Sequence, residues 1–152
     1  MKKLFAFLMA VVMLLSLSAC GGGTGGSKEG SVPGTAYIDD CYVEITDCVG
    51  QLSTLYAGQF IALVKVKFTN NSDAATSLFF TASIKAFQNG VELSPAAWVP
   101  ADHGITQNDS DTIQPGYSLS TGYAYVLKST TDPVLVQIYD GLDLISEKEF
   151  SI

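Results

Sequence analysis

Three cysteines, one histidine and one short acidic cluster are the groups in this sequence that could carry chemistry: Cys20, Cys41, Cys48, His103 and Asn108-Asp109-Ser110-Asp111. Cys20 has the most specific surroundings. Lys2 and Lys3 precede an apolar run over residues 4–17 that ends in Leu17-Ser18-Ala19-Cys20. A charged start, an apolar middle and small residues before a cleavage point make a secretion signal. A cysteine as the first mature residue supplies the thiol that takes a diacylglyceryl group. The run is short of the roughly 20 apolar residues that span a bilayer, and cleavage near Ala19 with a free Cys20 is the other alternative. Residues 1–20 are therefore read as a lipoprotein signal, with Cys20 as the lipidation site and the mature chain on the extracytoplasmic face of the cell membrane. Two acyl chains suffice for stable anchoring where one does not.

Cys41 and Cys48 then remain, in a compartment where disulfides persist. On one unbroken strand their seven steps span about 23 Å, whereas a disulfide needs Cα atoms within about 7 Å. A Cys41–Cys48 bridge thus requires a bend or bulge between Thr46 and Cys48. The alternative is two unpaired thiols, Cys41 inward and Cys48 near a strand end. No histidine or further cysteine lies nearby to complete a zinc set.

His103 has Asp102 beside it, but adjacent residues cannot face each other as a catalytic triad requires, and no serine sits in a G-x-S-x-G turn. Catalysis is not expected and no cofactor is implied. Asp109 and Asp111 offer alternate oxygen ligands that could serve calcium. The full loop pattern with its distal glutamate is absent, and such clusters also make ordinary turns. Both lie in the connection over residues 94–114, which is long for a compact domain and carries Trp98 and His103, the candidate contact residues. Trp98 closing one end of the core is the alternative.

Charge narrows the partners. Loss of Lys2 and Lys3 moves the formal charge from −7 to −9, and the chain has no arginine. Nucleic acid recognition needs a clustered basic surface that this composition cannot supply. The expected partners are the membrane, through the lipid on Cys20, and an envelope or extracellular protein.

The elements that must position these groups are strands. Residues 21–35 are rich in glycine and serine and form a flexible tether; residues 36–152 form one domain of alternating polar and apolar residues between Gly, Asn, Asp and Pro punctuation. Strands are expected over residues 37–47, 59–69, 80–88, around 91–93, 117–127, 134–139 and 142–151, with a short one near 112–114. Asn89-Gly90 and Asp140-Gly141 provide hairpin turns. Phe60, Ala62, Val64, Val66 and Phe68 share one face, with Lys65 and Lys67 on the other. Tyr117, Leu119, Tyr123, Tyr125 and Leu127 likewise share a face. The outward parity of Lys65 and Lys67 argues against a buried Lys–Asn amide cross-link. About seven strands without a helix indicate an all-β, immunoglobulin-like two-sheet sandwich, with a small barrel as the alternative.

The signal, the tether, and the stretches Phe68-Thr69-Asn70-Asn71-Ser72-Asp73, Gln88-Asn89-Gly90-Val91-Glu92-Leu93, Ile113-Gln114-Pro115-Gly116 and Asp132-Pro133-Val134 resemble a family of Gram-positive surface lipoproteins. Their C-terminal module is an immunoglobulin-like domain of unknown function. The resemblance implies the sandwich fold and a surface location and brings no catalytic or binding residues. Its motifs are read as turns and strand ends, since Asn70 and Asn71 tolerate left-handed backbone conformations and Asn89-Gly90 makes a hairpin. The function expected is a non-catalytic binding or interaction module acting through a loop end or sheet edge. A small solute- or calcium-binding lipoprotein using residues 94–114 is the alternative.

Overall fold

The computed structural model describes residues 32–97, 105 and 108–152. The signal, Cys20, most of the tether, Trp98 and His103 lie outside the described residues. The strands are β1 (Thr35–Ile38), β2 (Cys41–Leu52), β3 (Phe60–Asn70), β4 (Ser83–Gln88), β5 (Val91–Glu92), β6 (Ser118–Val126), β7 (Val134–Asp140) and β8 (Asp143–Phe150), with one helical turn, α1 (Leu78–Thr81), before β4. They form two antiparallel four-stranded sheets, ordered β1-β2-β3-β6 and β5-β4-β7-β8. The chain crosses between sheets after β3, after β5 and again after β6, so the central pairs β3–β6 and β4–β7 are non-sequential, as in an immunoglobulin-like Greek key.

The period-2 pattern becomes the core. Val43, Ile45, Ala62, Val64, Val66 and Phe68 meet Ala86, Val134, Val136 and Ile138 from the facing sheet, all essentially fully buried. Each large aliphatic or aromatic side chain so buried contributes about 1.5–3 kcal/mol. Polar ties join the sheets as well: Tyr125 Oη donates to the Ile84 carbonyl at 2.7 Å, and Gly34 N, just before β1, donates to Ser146 Oγ on β8 at 3.0 Å. Ile61, Leu63 and Ala124 point to the outer face of their sheet and are buried all the same. The chain leaves β5 to bridge the β6 edge at Pro95 opposite Tyr125, a place where proline's missing N–H does no harm. It returns to the described residues at Ile105, also buried.

Four local expectations are corrected. Residues 37–47 form a hairpin instead of one strand, because Asp39 and Asp40 adopt φ of 47° and 61° and close a two-residue turn between Ile38 and Cys41. Phe80 belongs to α1, where a single turn absorbs the crossover to β4. Tyr117 precedes β6 and is exposed, as is Phe60 at the opposite end of the sheet, since both sit where the strands outrun the facing sheet. Near residue 113, a lone bridge from Ile113 to Thr76 replaces the expected short strand.

Asn70 is the largest departure. Neither it nor Asn71 has positive φ. Asn70 is fully buried, and its Nδ2 donates to the Ala74 and Ile113 carbonyls at 2.8 and 3.0 Å. Its Oδ1 accepts from Ser72 N at 3.0 Å, Ser72 Oγ at 2.7 Å and Cys41 Sγ at 3.7 Å. Gln88 does the same at the other end of the sandwich. Its Oε1 accepts from Lys128 N and Ser129 N, and its Nε2 donates to Ser129 O and Asp132 O. The stretches Phe68-Thr69-Asn70-Asn71-Ser72-Asp73 and Gln88-Asn89-Gly90-Val91-Glu92-Leu93 thus each carry a buried amide hub that ties loops to strand ends. Asn89-Gly90, with φ of 50° and 75°, makes the hairpin as expected.

Candidate functional site

Cys41 and Cys48 are both buried and both free. The bulge that a bridge would need exists: the β2–β3 register shifts between Ile45 and Asp47. Its effect is to turn Cys48 inward alongside Val64, so both thiols face the core. It does not shorten the strand. Cys41 pairs with Asn70 and Cys48 with Val64, six residues apart on β3, or about 20 Å. A disulfide between them is therefore excluded in this fold. Burial, and then the neighbouring Asp47 carboxylate, push the Cys48 thiol up to about 12; burial also raises Cys41, partly offset by its hydrogen bond with Thr81. Protonated and buried thiols are poor nucleophiles.

The acidic cluster builds a turn. Asp111 Oδ2 accepts from Asn108 N at 2.8 Å, and Asp111 N donates to Asn108 O at 3.1 Å. The Asp109 carbonyl accepts from Phe79 N at 2.9 Å, and its carboxylate takes a hydrogen bond from Tyr123. Asp109 and Asp111 are thus engaged with different partners, and among the described residues no three His, Cys, Asp or Glu side chains gather to hold a metal ion. Lys65 lies on the outer face, 3.7 Å from Asp47.

What the fold does bring together is a cleft of about 450 Å³ on the open side of the sandwich, where β6 faces β4 and β5. Thr121, Tyr123 and Tyr125 rise from β6, Lys85 and Glu92 from the β4–β5 hairpin, and Asp109 from the turn. Lys85 Nζ is 3.4 Å from Glu92 Oε2 and 5.4 Å from the centroid of the Tyr139 ring. An exposed pair of this kind contributes no more than about 1 kcal/mol, so both charges can exchange partners readily. Burial and then Asp109 hold the Tyr123 phenol protonated; burial and then Glu92 do so for Tyr125. The two described ends of the 94–114 connection, Pro95-Ala96 and Asn108-Asp109, border this cleft. The shared parity of Tyr123 and Tyr125 was visible in the sequence. Lys85 and Glu92 carried no local signal, because only the non-sequential pairing of sheets sets them opposite β6.

Comparison with known proteins agrees with this architecture. A family model described as a domain of unknown function, DUF5067, matches residues 28–140, and the chain belongs to that family. No curated protein matches. Three solved structures share the fold. An uncharacterized beta-sandwich protein from Clostridium difficile has a TM-score of 0.57 at 13% identity, covering 88% of this chain and 99% of its own. A conserved hypothetical protein from Bacillus anthracis has a TM-score of 0.53 at 17% identity, with coverages of 76% and 94%. A "putative lipoprotein (ycdA)" from Bacillus subtilis has a TM-score of 0.55 at 15% identity over 80% of this chain. This chain spans only 39% of that last protein's length.

Proposed function

We propose that this DUF5067 protein is held on the extracytoplasmic face of the membrane by a lipid on Cys20 and works there by contact, seating a binding partner in the cleft between β6 and the β4–β5 hairpin. The observation that carries the contact reading is the cleft itself: a concave site of about 450 Å³ with two tyrosines, one exchangeable ion pair and a buried polar floor. Sites of this size with a few convergent polar groups are the usual places for ligands. Support for the anchor comes from the residues around Cys20, and the structural likeness to a protein described as a lipoprotein agrees with it. The chemistry of this reading is binding: Tyr123 is engaged by Asp109 and Tyr125 by the Ile84 carbonyl, which leaves the exchangeable Lys85–Glu92 pair to meet a partner.

A photo-reactive phenylalanine analogue at Glu92, on the cleft mouth, should yield a discrete adduct when intact cells are irradiated. The same group at Lys67, on the outer sheet face, should not. Equal labelling from both positions, or none from either, would remove the cleft from the account. The second reading, a small solute or calcium, draws on Asp109 bordering the same cleft. Native mass spectrometry with and without calcium decides it: an added mass lost in Asp109→Asn and Asp111→Asn variants would favour that reading.

A further inference from the structure

We infer that the tip of the β2–β3 hairpin seats the domain on the bilayer surface, an inference that rests on the Cys20 anchor proposed above. From Val49 to Val64 the chain runs sixteen residues without a charge. Within that run Leu52, Leu55, Tyr56 and Phe60 are exposed, between 41% and 55%. Gly50 marks the rim of the sandwich, since a Cβ there would lie 3.1 Å from Ile152 at the end of the facing sheet; a Cβ on Gly58, at the tip, would meet nothing within 4 Å. The tip is nonetheless a built structure. Ser53 N donates to Gln59 O at 2.7 Å and Gln59 N to Tyr56 O at 3.2 Å, while Ser53 Oγ accepts from Leu55 N and Tyr56 N. A fixed, uncharged, apolar projection from an acidic domain marks an interaction surface.

The chain itself selects a lipid surface as the occupant. Cys20 precedes Val32 by twelve residues, a reach of about 40 Å when extended. Gly34 is hydrogen-bonded to Ile45, and from Ile45 to Leu52 along β2 is about 23 Å. The tip therefore lies within range of the lipidated residue. Charge then sets the orientation. The other end of the sandwich carries Asp39 and Asp40 in the β1–β2 turn, Asp73 after β3, and Asp140 and Asp143 around the β7–β8 turn. Anionic headgroups repel that end, leaving the neutral tip as the end that can approach. Leucine, tyrosine and phenylalanine are side chains that settle at the headgroup boundary, about 5–10 Å deep.

The test uses the mature protein extracted from its own membranes and reconstituted in vesicles of phosphatidylglycerol and phosphatidylethanolamine whose acyl chains carry bromine. A bimane is placed at Leu55→Cys or, at the far end, at the fully exposed Leu142→Cys; Cys41 and Cys48 are buried and stay unlabelled. Bromine should quench the label at position 55 by roughly twofold or more, as for a group at acyl-chain depth, and leave position 142 unchanged. Protein that floats with the vesicles while position 55 is unquenched, or is quenched by other copies regardless of bromine, overturns the seating and leaves the anchor standing. Protein that does not float overturns the anchor, and the inference with it.

Discussion

Replacing Asn70 should unfold the domain far more readily than its neighbour does. In Asn70→Ala, two donated hydrogen bonds of 2.8 and 3.0 Å and two accepted ones of 3.0 and 2.7 Å are lost from a side chain with no solvent exposure. At about 1 kcal/mol net per bond, with buried carbonyls left short of a donor, the loss is about 4 kcal/mol. For a domain of this size that corresponds to about 15 °C in Tm. Asn71 is exposed, so Asn71→Ala should stay within about 0.5 kcal/mol. Asn70→Asp separates hydrogen bonding from packing. It keeps the side chain's volume but turns an acceptor toward the Ala74 and Ile113 carbonyls, so it should cost at least as much as alanine. Thermal unfolding followed by far-UV circular dichroism reads all three. Asn70→Ala within about 3 °C of the parent, or no worse than Asn71→Ala, would refute the hub.

Other perturbations read other parts of the structure. Asp40→Gly relieves a left-handed aspartate at φ 61° and should raise stability by about 1 kcal/mol in the same assay; a loss would mean that the β1–β2 turn is wrong. Cys48, Tyr123 and Tyr125 all hold their protons more tightly folded than unfolded, so their stabilising effect is complete below pH 9; Cys48's is lost as pH rises from its ordinary 9.0 toward about 12, and the tyrosines' begins to fall only above their ordinary 10.0. Each group steepens the alkaline fall by at most about 1.4 kcal/mol per pH unit. Cys48→Val should make the fall in urea midpoint between pH 9 and 10.5 shallower, and an unchanged slope would contradict the assignment. A thiol reagent at pH 8 should modify neither Cys41 nor Cys48 until denaturant is added. Gln88→Ala should speed amide hydrogen exchange over residues 128–132 well before it affects β3; uniform exchange would show that Gln88 does not act locally.

The sandwich was legible because its central strands alternate cleanly. Val64, Lys65, Val66, Lys67 and Phe68 can satisfy one buried face in only one way, and Asn89-Gly90 has few other uses. The β1–β2 turn was hidden because Asp39-Asp40 lacks the glycine that announces such a turn, and Cys41 and Val43 continue the same alternation through it. Asn70 and Gln88 were legible as unusual residues but not as buried ones. An amide signals turn or core equally well until the carbonyls it serves, such as Ile113 and Asp132, are brought from forty or more residues away. The bulge at Thr46 was foreseen as the condition for a disulfide, yet it rotates Cys48 inward instead of folding β2 back. The cleft could not be read in advance, since its walls are assembled by crossovers between sheets. The uncharged run from Val49 to Val64 was in plain view, but only the long β2–β3 hairpin makes a projection of it.

The anchor underlies both the contact function and the membrane seating, so the most direct test is the intact mass of the mature protein extracted from its own membranes. The mature chain should begin at Cys20 and carry a diacylglyceryl group on that thiol. A chain that retains residues 1–19, or begins elsewhere with an unmodified Cys20, would contradict it.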